Sequence, residues 1–182
     1  GGIGAGRAIR TDDGYVLTLR QRIYDHYITS LATIRTAARD KKKLLQYSVD
    51  AWNPSTSKSP NKTFVIKREE GGYLLDLLNV LHRQGVEVYE AENDFSLGNC
   101  LDYRTGEKST QSFSKGDILV SADQARHLFV HSILERNMAI EDSVMYDMAT
   151  WSAPLAYNLE AHSSPDLVKV AQRPITAADL QW

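Results

Sequence analysis

The chain has 182 residues, of which 42% are hydrophobic and 24% charged, a composition ordinary for a globular protein with a hydrophobic core. Its 21 basic and 23 acidic side chains leave a formal net charge of -2, so no strong positive field exists to neutralise phosphates, and we expect no nucleic-acid partner. The one cysteine, Cys100, excludes an intrachain disulfide and a four-cysteine zinc site, and no apolar run is long enough for a membrane helix, so we expect no membrane partner.

The first predicted element is a long amphipathic helix that begins after Thr18. Thr18 and Gln21 have the spacing of a capping box, in which the two side chains bind free backbone N–H groups at the helix start. Apolar residues then recur at spacings of three and four, namely Leu19, Ile23, Tyr27, Leu31, Ile34 and Ala38. The pattern predicts a helix that runs to about Trp52.

A linker is predicted at 53–62. This segment, NPSTSKSPNK, contains two prolines, three serines and no large apolar residue. The chain starts at Gly1 without Met, and we expect it to be a fragment of a longer protein. The predicted domains are therefore a remnant of a preceding domain at 1–52, the linker at 53–62, and a second domain at 63–182 with a partly ordered tail from His162.

The second domain opens with a predicted strand, helix and strand. A β-rich run at 63–66 is followed by leucines with helical period, Leu74, Leu77, Leu78 and Leu81. Gly85 suits the left-handed position just after a helix, and a second strand follows at 86–89. Because a helix separates the two strands, we expect them to form a parallel pair.

Further along, the segment from Cys100 to Phe113 contains a Thr105-Gly106 turn and predicts a hairpin or an excursion of the chain. A strand is predicted at 118–120, and Ser121 with Gln124 has the spacing of a second capping box. The helix that follows should bury Leu128 and Phe129. Strands that alternate with helices favour an α/β fold, so we predict a parallel-sheet domain, flavodoxin-like or amidotransferase-like, preceded by the long amphipathic helix.

The candidate ligand site is the loop between the first strand and the first helix of the second domain. It contains Lys67, Arg68, Glu69, Gly71 and Gly72, and loops at the carboxyl ends of strands are where open α/β sheets bind ligands. A small anionic or peptide ligand is one interpretation, and an apolar pocket beside Arg68 would favour it. A solvated loop without a ligand is the alternative.

No catalytic residue and no metal ligand is assigned within this chain. His127 and His131 have the i, i+4 spacing of paired zinc ligands, but the Glu of the zincin pattern is missing, and both are interpreted as part of a solvated helix face. Cys100 lacks the small flanking residues of a nucleophile elbow and is interpreted as a structural thiol.

Three stretches together resemble the carboxyl-terminal part of large bacterial zinc carboxypeptidase-like proteins. They are 14–23 (GYVLTLRQRI) with His26, Tyr27, Ser30 and Leu31; 116–121 (GDILVS) with Gln124, Ala125 and Arg126; and 143–147 (SVMYD) with Trp151, Pro154, Leu155 and Tyr157. The resemblance implies that 1–52 ends a zinc metallocarboxypeptidase domain. It also implies that the rest is an accessory domain resembling class I glutamine amidotransferases in fold.

The resemblance places the chemistry outside this chain. The family's zinc site needs a His with a Glu three residues later, and none of the five histidines has one. The expected role is therefore that of a noncatalytic accessory domain, structural or ligand-positioning, with zinc expected in the parent protein. The expected partner is the parent's own upstream catalytic domain, and the family suggests an exported protein.

Two alternatives to that role stay open. The first is a binding module that uses the strand-end loops to hold a small ligand or a peptide. The second is a self-association module, in which the apolar stripe of the first helix pairs two chains as a homodimer.

Overall fold

The computed structural model describes residues 6–69, 71–137 and 152–180. The chain divides into two compact units, Gly1–Val49 and Asp50–Trp182. The segment 53–62, predicted as a linker, lies within the second unit. The predicted residues 143–147 and Trp151 of the third family stretch fall outside the described residues.

The first unit contains a short hairpin and the helical region. Strands β1 (Ala8–Arg10) and β2 (Val16–Thr18) are antiparallel, and α1 (Leu19–Arg39) follows at once. The predicted capping box is confirmed, since Thr18 Oγ1 accepts from the N–H of Gln21 and Gln21 Oε1 accepts from the N–H of Thr18. A second helix, α2 (Lys41–Ala51), continues beyond Asp40, and no residue of either helix is buried.

The second unit is built on a sheet. Its strands are β3 (Thr63–Ile66), β4 (Tyr89–Ala91), β5 (Phe95–Asp102), β6 (Lys108–Phe113), β7 (Ile118–Ser121), β8 (Ala161–Ser164) and β9 (Gln172–Pro174). In the described residues its α-helices are α3 (Gly72–Arg83), α4 (His127–Leu134) and α5 (Ala153–Ala156), and short 3-10 helices occur at Pro54–Thr56 and Ala177–Leu180.

The parallel-sheet prediction is wrong. Within the described residues the seven strands lie in the order β6-β5-β8-β3-β7-β4-β9, and every recorded pairing is antiparallel. The fold is therefore α+β, with neither a flavodoxin-like nor an amidotransferase-like sheet. Part of the reason lies in the connection 103–107, which joins the neighbouring strands β5 and β6 and is far shorter than the dozen or more residues that a parallel crossover needs.

One parallel relation survives inside this sheet. Strands β3 and β4 both run antiparallel to β7, so they run in the same direction. They are not neighbours, because β7 is inserted between them. The predicted second strand at 86–89 overlaps β4 only at Tyr89. Gly85 ends α3 in the left-handed conformation, at φ 72°, as predicted.

The two faces of the sheet carry separate apolar clusters. Alternation along the strands places Phe64, Ile66, Ile118 and Val120 in the larger cluster, which α3 and α4 also enter. The smaller cluster on the opposite face contains Val65, Ala91, Leu97, Cys100, Phe113 and Leu119. Cys100 is fully buried there, and burial raises the pKa of its thiol to about 11, which fits a structural thiol.

Helix α4 departs from its predicted start and its predicted face. The helix begins at His127 without a side-chain cap, and the second capping box does not form. Instead the amide of Gln124 donates to the carbonyls of Ser121 and Glu87 and accepts from the N–H of Glu87. His127 is buried and Leu128 is 53% exposed, so the predicted orientation is wrong.

Candidate functional site

A cavity of about 270 Å³ lies at the end of β3 from which the candidate loop leaves. The register of the sheet explains its position. Ile66 is paired with Ile118, Ile118 with Glu90, and Glu90 with Arg173, so four neighbouring strands place one residue each in a row. The last three of these residues line the cavity.

The rest of the cavity wall is mainly apolar. Helix α3 contributes Leu74, Leu75 and Leu78, and the chain around the second 3-10 helix contributes Ile175 and Leu180. Leu74, Leu78 and Leu180 belong to the larger apolar cluster, so their positions are fixed by the core. An apolar ligand group would therefore meet a preformed surface.

The mouth carries a chain of ion pairs. Arg68 lies 3.3 Å from Glu90, and Arg173 bridges Glu90 at 2.5 Å and Asp179 at 2.8 Å. The hydrogen bonds from Arg173 and Thr176 hold the pKa of Asp179 far below its usual range. Arg173 is thus engaged by two carboxylates, whereas Arg68 has one recorded ion pair and a side chain that is 60% exposed.

A buried carboxylate fixes the backbone of the candidate loop. Asp117 is only 4% exposed, and its two oxygens accept from the backbone N–H groups of Arg68 and Ser114. Gly116, at φ 97°, lies beside the Arg68 side chain, and an added Cβ would approach Arg68 Cδ to 3.3 Å. The position of Arg68 at the cavity is therefore set by its neighbours.

The structure separates the five predicted ligand-binding residues. Arg68, Glu69 and Gly71 line the cavity. Gly72 starts α3, which has no side-chain cap at its N-terminus. Lys67 is used elsewhere, because its ammonium group donates to the carbonyl of Ser112, lies 3.8 Å from Asp117, and sits 5.0 Å from the centre of the Phe113 ring.

Sequence reasoning missed the other charged members of the site. Glu90 and Arg173 are far apart in sequence from the loop and from each other, and only the sheet register brings them together. Asp179 follows Arg173 by six residues and lies on the second 3-10 helix. The sequence offered one indication of this site, the expectation of an apolar pocket beside Arg68.

The paired histidines do not form a shared metal site. His127 Nε2 lies 3.1 Å from the carbonyl oxygen of Ala51, and His131 directs its two nitrogens at Ser57 and Glu135. In the described parts of the chain, no group of three or more His, Cys, Asp or Glu side chains could hold a metal ion.

Comparison with known proteins found no matching family model, no matching curated protein and no matching solved structure. Across residues 6–69, 71–137 and 152–180, no helix is both long enough and apolar enough to cross a membrane.

Proposed function

We propose that the second unit is an accessory binding module whose cavity beside Arg68 holds a small ligand with an apolar body and a carboxylate. The observation that carries this is an exposed guanidinium group at the edge of a cavity whose inner wall, formed by α3, Ile118, Ile175 and Leu180, is apolar. Arginine matches a carboxylate with two parallel hydrogen bonds, which gives such a ligand both affinity and orientation.

The size of the cavity limits the ligand. Its volume of about 270 Å³ lies just below the ~300–1,000 Å³ typical of small-molecule pockets. This suits a single amino-acid residue better than a nucleotide. The leucines of α3 would contact the ligand's apolar part, and the uncapped start of the same helix, close to Gly71, adds a favourable potential for the carboxylate.

The resemblance to zinc carboxypeptidases supports the carboxyl-terminal end of a peptide as the ligand of this cavity. A peptide that ends in an apolar residue presents a side chain and a carboxylate on one carbon atom. An accessory module next to a zinc carboxypeptidase-like domain would then hold such an end while the parent protein acts on peptides. The choice of a peptide end as the ligand depends on the three stretches that resemble the carboxypeptidase family. It does not depend on the predicted amidotransferase-like fold, which was wrong.

Calorimetric titration with N-acetyl-leucine tests the proposal. We expect saturable binding to one site, and binding at least tenfold weaker for N-acetyl-leucinamide, which lacks the charge that Arg68 would meet. Arg68→Gln should weaken N-acetyl-leucine binding by a similar factor, and substitution of the exposed Arg83 by Gln should leave it unchanged. Equal affinity for the acid and the amide would contradict the proposal.

A further inference from the structure

A second cavity, of about 220 Å³, lies away from the first and contains a serine, a histidine and a glutamate in series. Ser57 Oγ is 3.0 Å from His131 Nε2, and His131 Nδ1 is 3.1 Å from Glu135 Oε1. Ser57 and His131 line the cavity. Ser57 ends the first 3-10 helix, whereas His131 and Glu135 are four residues apart at the end of α4.

The hydrogen bonds around Glu135 decide which histidine nitrogen carries the proton. Burial alone would raise the pKa of Glu135, but hydrogen bonds from His131, Ser59 and Asn61 outweigh it and lower the pKa below its usual value. A carboxylate can only accept hydrogen bonds, so Nδ1 of His131 donates to it. In the neutral ring Nε2 is then the acceptor for the Ser57 hydroxyl.

The same contacts hold the three groups in place. Ser59 Oγ donates to Glu135 Oε1 at 2.6 Å, and the Asn61 amide donates to Oε2 at 2.7 Å. The side chains of His131 and Glu135 are each only 12% exposed, and the Phe64 ring and the imidazole pack in a T-shaped arrangement. Serine beside a histidine base, with the base oriented by a third group, is the arrangement that activates a hydroxyl for attack.

We propose that Ser57 is a nucleophile that takes the acyl group of small esters, with His131 as general base and Glu135 as its positioning residue. This catalytic activity is separate from the binding function proposed above, which concerns the other cavity and involves no catalytic residue. The remaining lining of the second cavity, which includes Ser55, Lys62 and Leu167, leaves space for a short acyl chain.

The chemistry proceeds in two balanced steps. Ser57 Oγ bonds to the ester carbonyl carbon while its proton passes to His131 Nε2. The tetrahedral adduct collapses, the bond to the alcohol oxygen breaks, and the departing alcohol takes that proton from His131. Water then attacks the acyl-serine with the same base, which releases the carboxylic acid and restores the hydroxyl.

The test is a stopped-flow burst experiment with p-nitrophenyl acetate on the full chain. We expect one equivalent of p-nitrophenolate per chain in the burst, and mass spectrometry of the quenched protein should place the acetyl group on Ser57. Ser57→Ala should abolish the burst, whereas Ser109→Ala, a change at an exposed serine of β6 outside this cavity, should leave it intact. His131→Gln should slow acylation by roughly 10² to 10⁴-fold.

The variant Glu135→Gln tests whether Glu135 positions His131. Removal of its charge should lower kcat for the ester and leave KM unchanged, because the imidazole loses the carboxylate that orients it, while the thermal unfolding curve shows the variant folded. The proposal is overturned if the unmodified chain gives no burst. It is also overturned if the acetyl group is found on a lysine or histidine and not on Ser57.

Discussion

Asp117 connects the candidate loop to the sheet through its two side-chain oxygens. Substitution by Ala would leave the N–H groups of Arg68 and Ser114 without their acceptor. A buried polar group left unsatisfied costs roughly 1–3 kcal/mol, so we expect Asp117→Ala to lower the free energy of unfolding by about 2–4 kcal/mol. Urea denaturation measures this, and the exposed Asp76→Ala on α3 is the control. If both changes lowered the free energy of unfolding equally, the role of Asp117 in holding the candidate loop would be contradicted.

His162 predicts a pH dependence of stability. It is 2% exposed, and burial lowers its pKa below 6.5, an effect that Asp102, 3.7 Å away, offsets only in part. The unfolded chain therefore binds this proton more readily than the folded protein does. The contribution of His162 to the free energy of unfolding is fully present above about pH 6.5. It is lost as the pH falls below that value, and the free energy of unfolding then falls by at most ~1.4 kcal/mol per pH unit.

Measurement of unfolding free energies between pH 7.5 and 5.5 checks this prediction. His162→Gln should flatten most of the dependence in that window. The carboxyl groups with lowered pKa values, Asp102, Glu135 and Asp179, contribute only at lower pH, because their ordinary values are 4.5 or below. A variant with an unchanged slope would show that another group is responsible.

Some residue-scale features could be predicted from the sequence because their cause is local. The Thr18–Gln21 capping box and the left-handed Gly85 depend only on nearby backbone, and both are confirmed. The Ser121–Gln124 pair has the same spacing, yet Gln124 instead binds the backbone of Glu87, which is distant in sequence. A contact of that kind cannot be read from spacing.

At the scale of elements, α3 and α4 offer a matched pair of substitutions. Leu78 is 7% exposed on α3, whereas Leu128 is 53% exposed on α4. Burial of a leucine stabilises by ~1.5–3 kcal/mol and burial of a charge adds a further cost, so Leu78→Asp should abolish cooperative unfolding. Leu128→Asp should change stability by no more than about 0.5 kcal/mol. Thermal unfolding followed by circular dichroism measures both variants. If Leu128→Asp were the more destabilising change, the buried position of Leu78 and the exposed position of Leu128 would be contradicted.

The face of α4 could not be derived from its sequence for a physical reason. Its eight residues are mostly apolar, so the periodicity that indicates a face is weak. The helix buries His127, a polar residue, and exposes a leucine. Strand β8 was hidden for a similar reason, since AHSS carries no β-rich signal, yet all four residues are buried between β5 and β3.

At the scale of the whole molecule, the sequence predicted where β3, β7 and the β5–β6 hairpin lie, but neither the strands β1, β2, β8 and β9 nor how the strands pair. The hairpin of β5 and β6 was found because its turn is short and contains Gly106. Insertion of β7 between β3 and β4 depends on contacts between residues far apart in sequence, which local patterns do not encode. The candidate site follows from that pairing, so only its loop residues could be predicted.

Self-association remains a prediction for the chain. No residue of α1 is buried, and Ile23, Tyr27 and Ile34 are each more than 60% exposed. Since an exposed apolar stripe tends to find a partner, we expect a monomer–dimer equilibrium in sedimentation over a hundredfold dilution. Ile23→Glu together with Ile34→Glu should leave only monomer, and Ala32→Glu, half a turn away, should not. A constant monomer for the unmodified chain would contradict this.

Methyl NMR of the isotopically labelled chain, titrated with N-acetyl-leucine, tests the central proposal of the binding cavity most directly. We predict saturable shifts of the Leu74, Leu78, Ile118 and Ile175 methyl signals, which belong to the cavity wall. The Val65 and Leu119 methyls, on the opposite face of the sheet, should stay in place. Absence of shifts at the cavity methyls at saturating ligand, or shifts confined to the opposite face, would contradict the proposal.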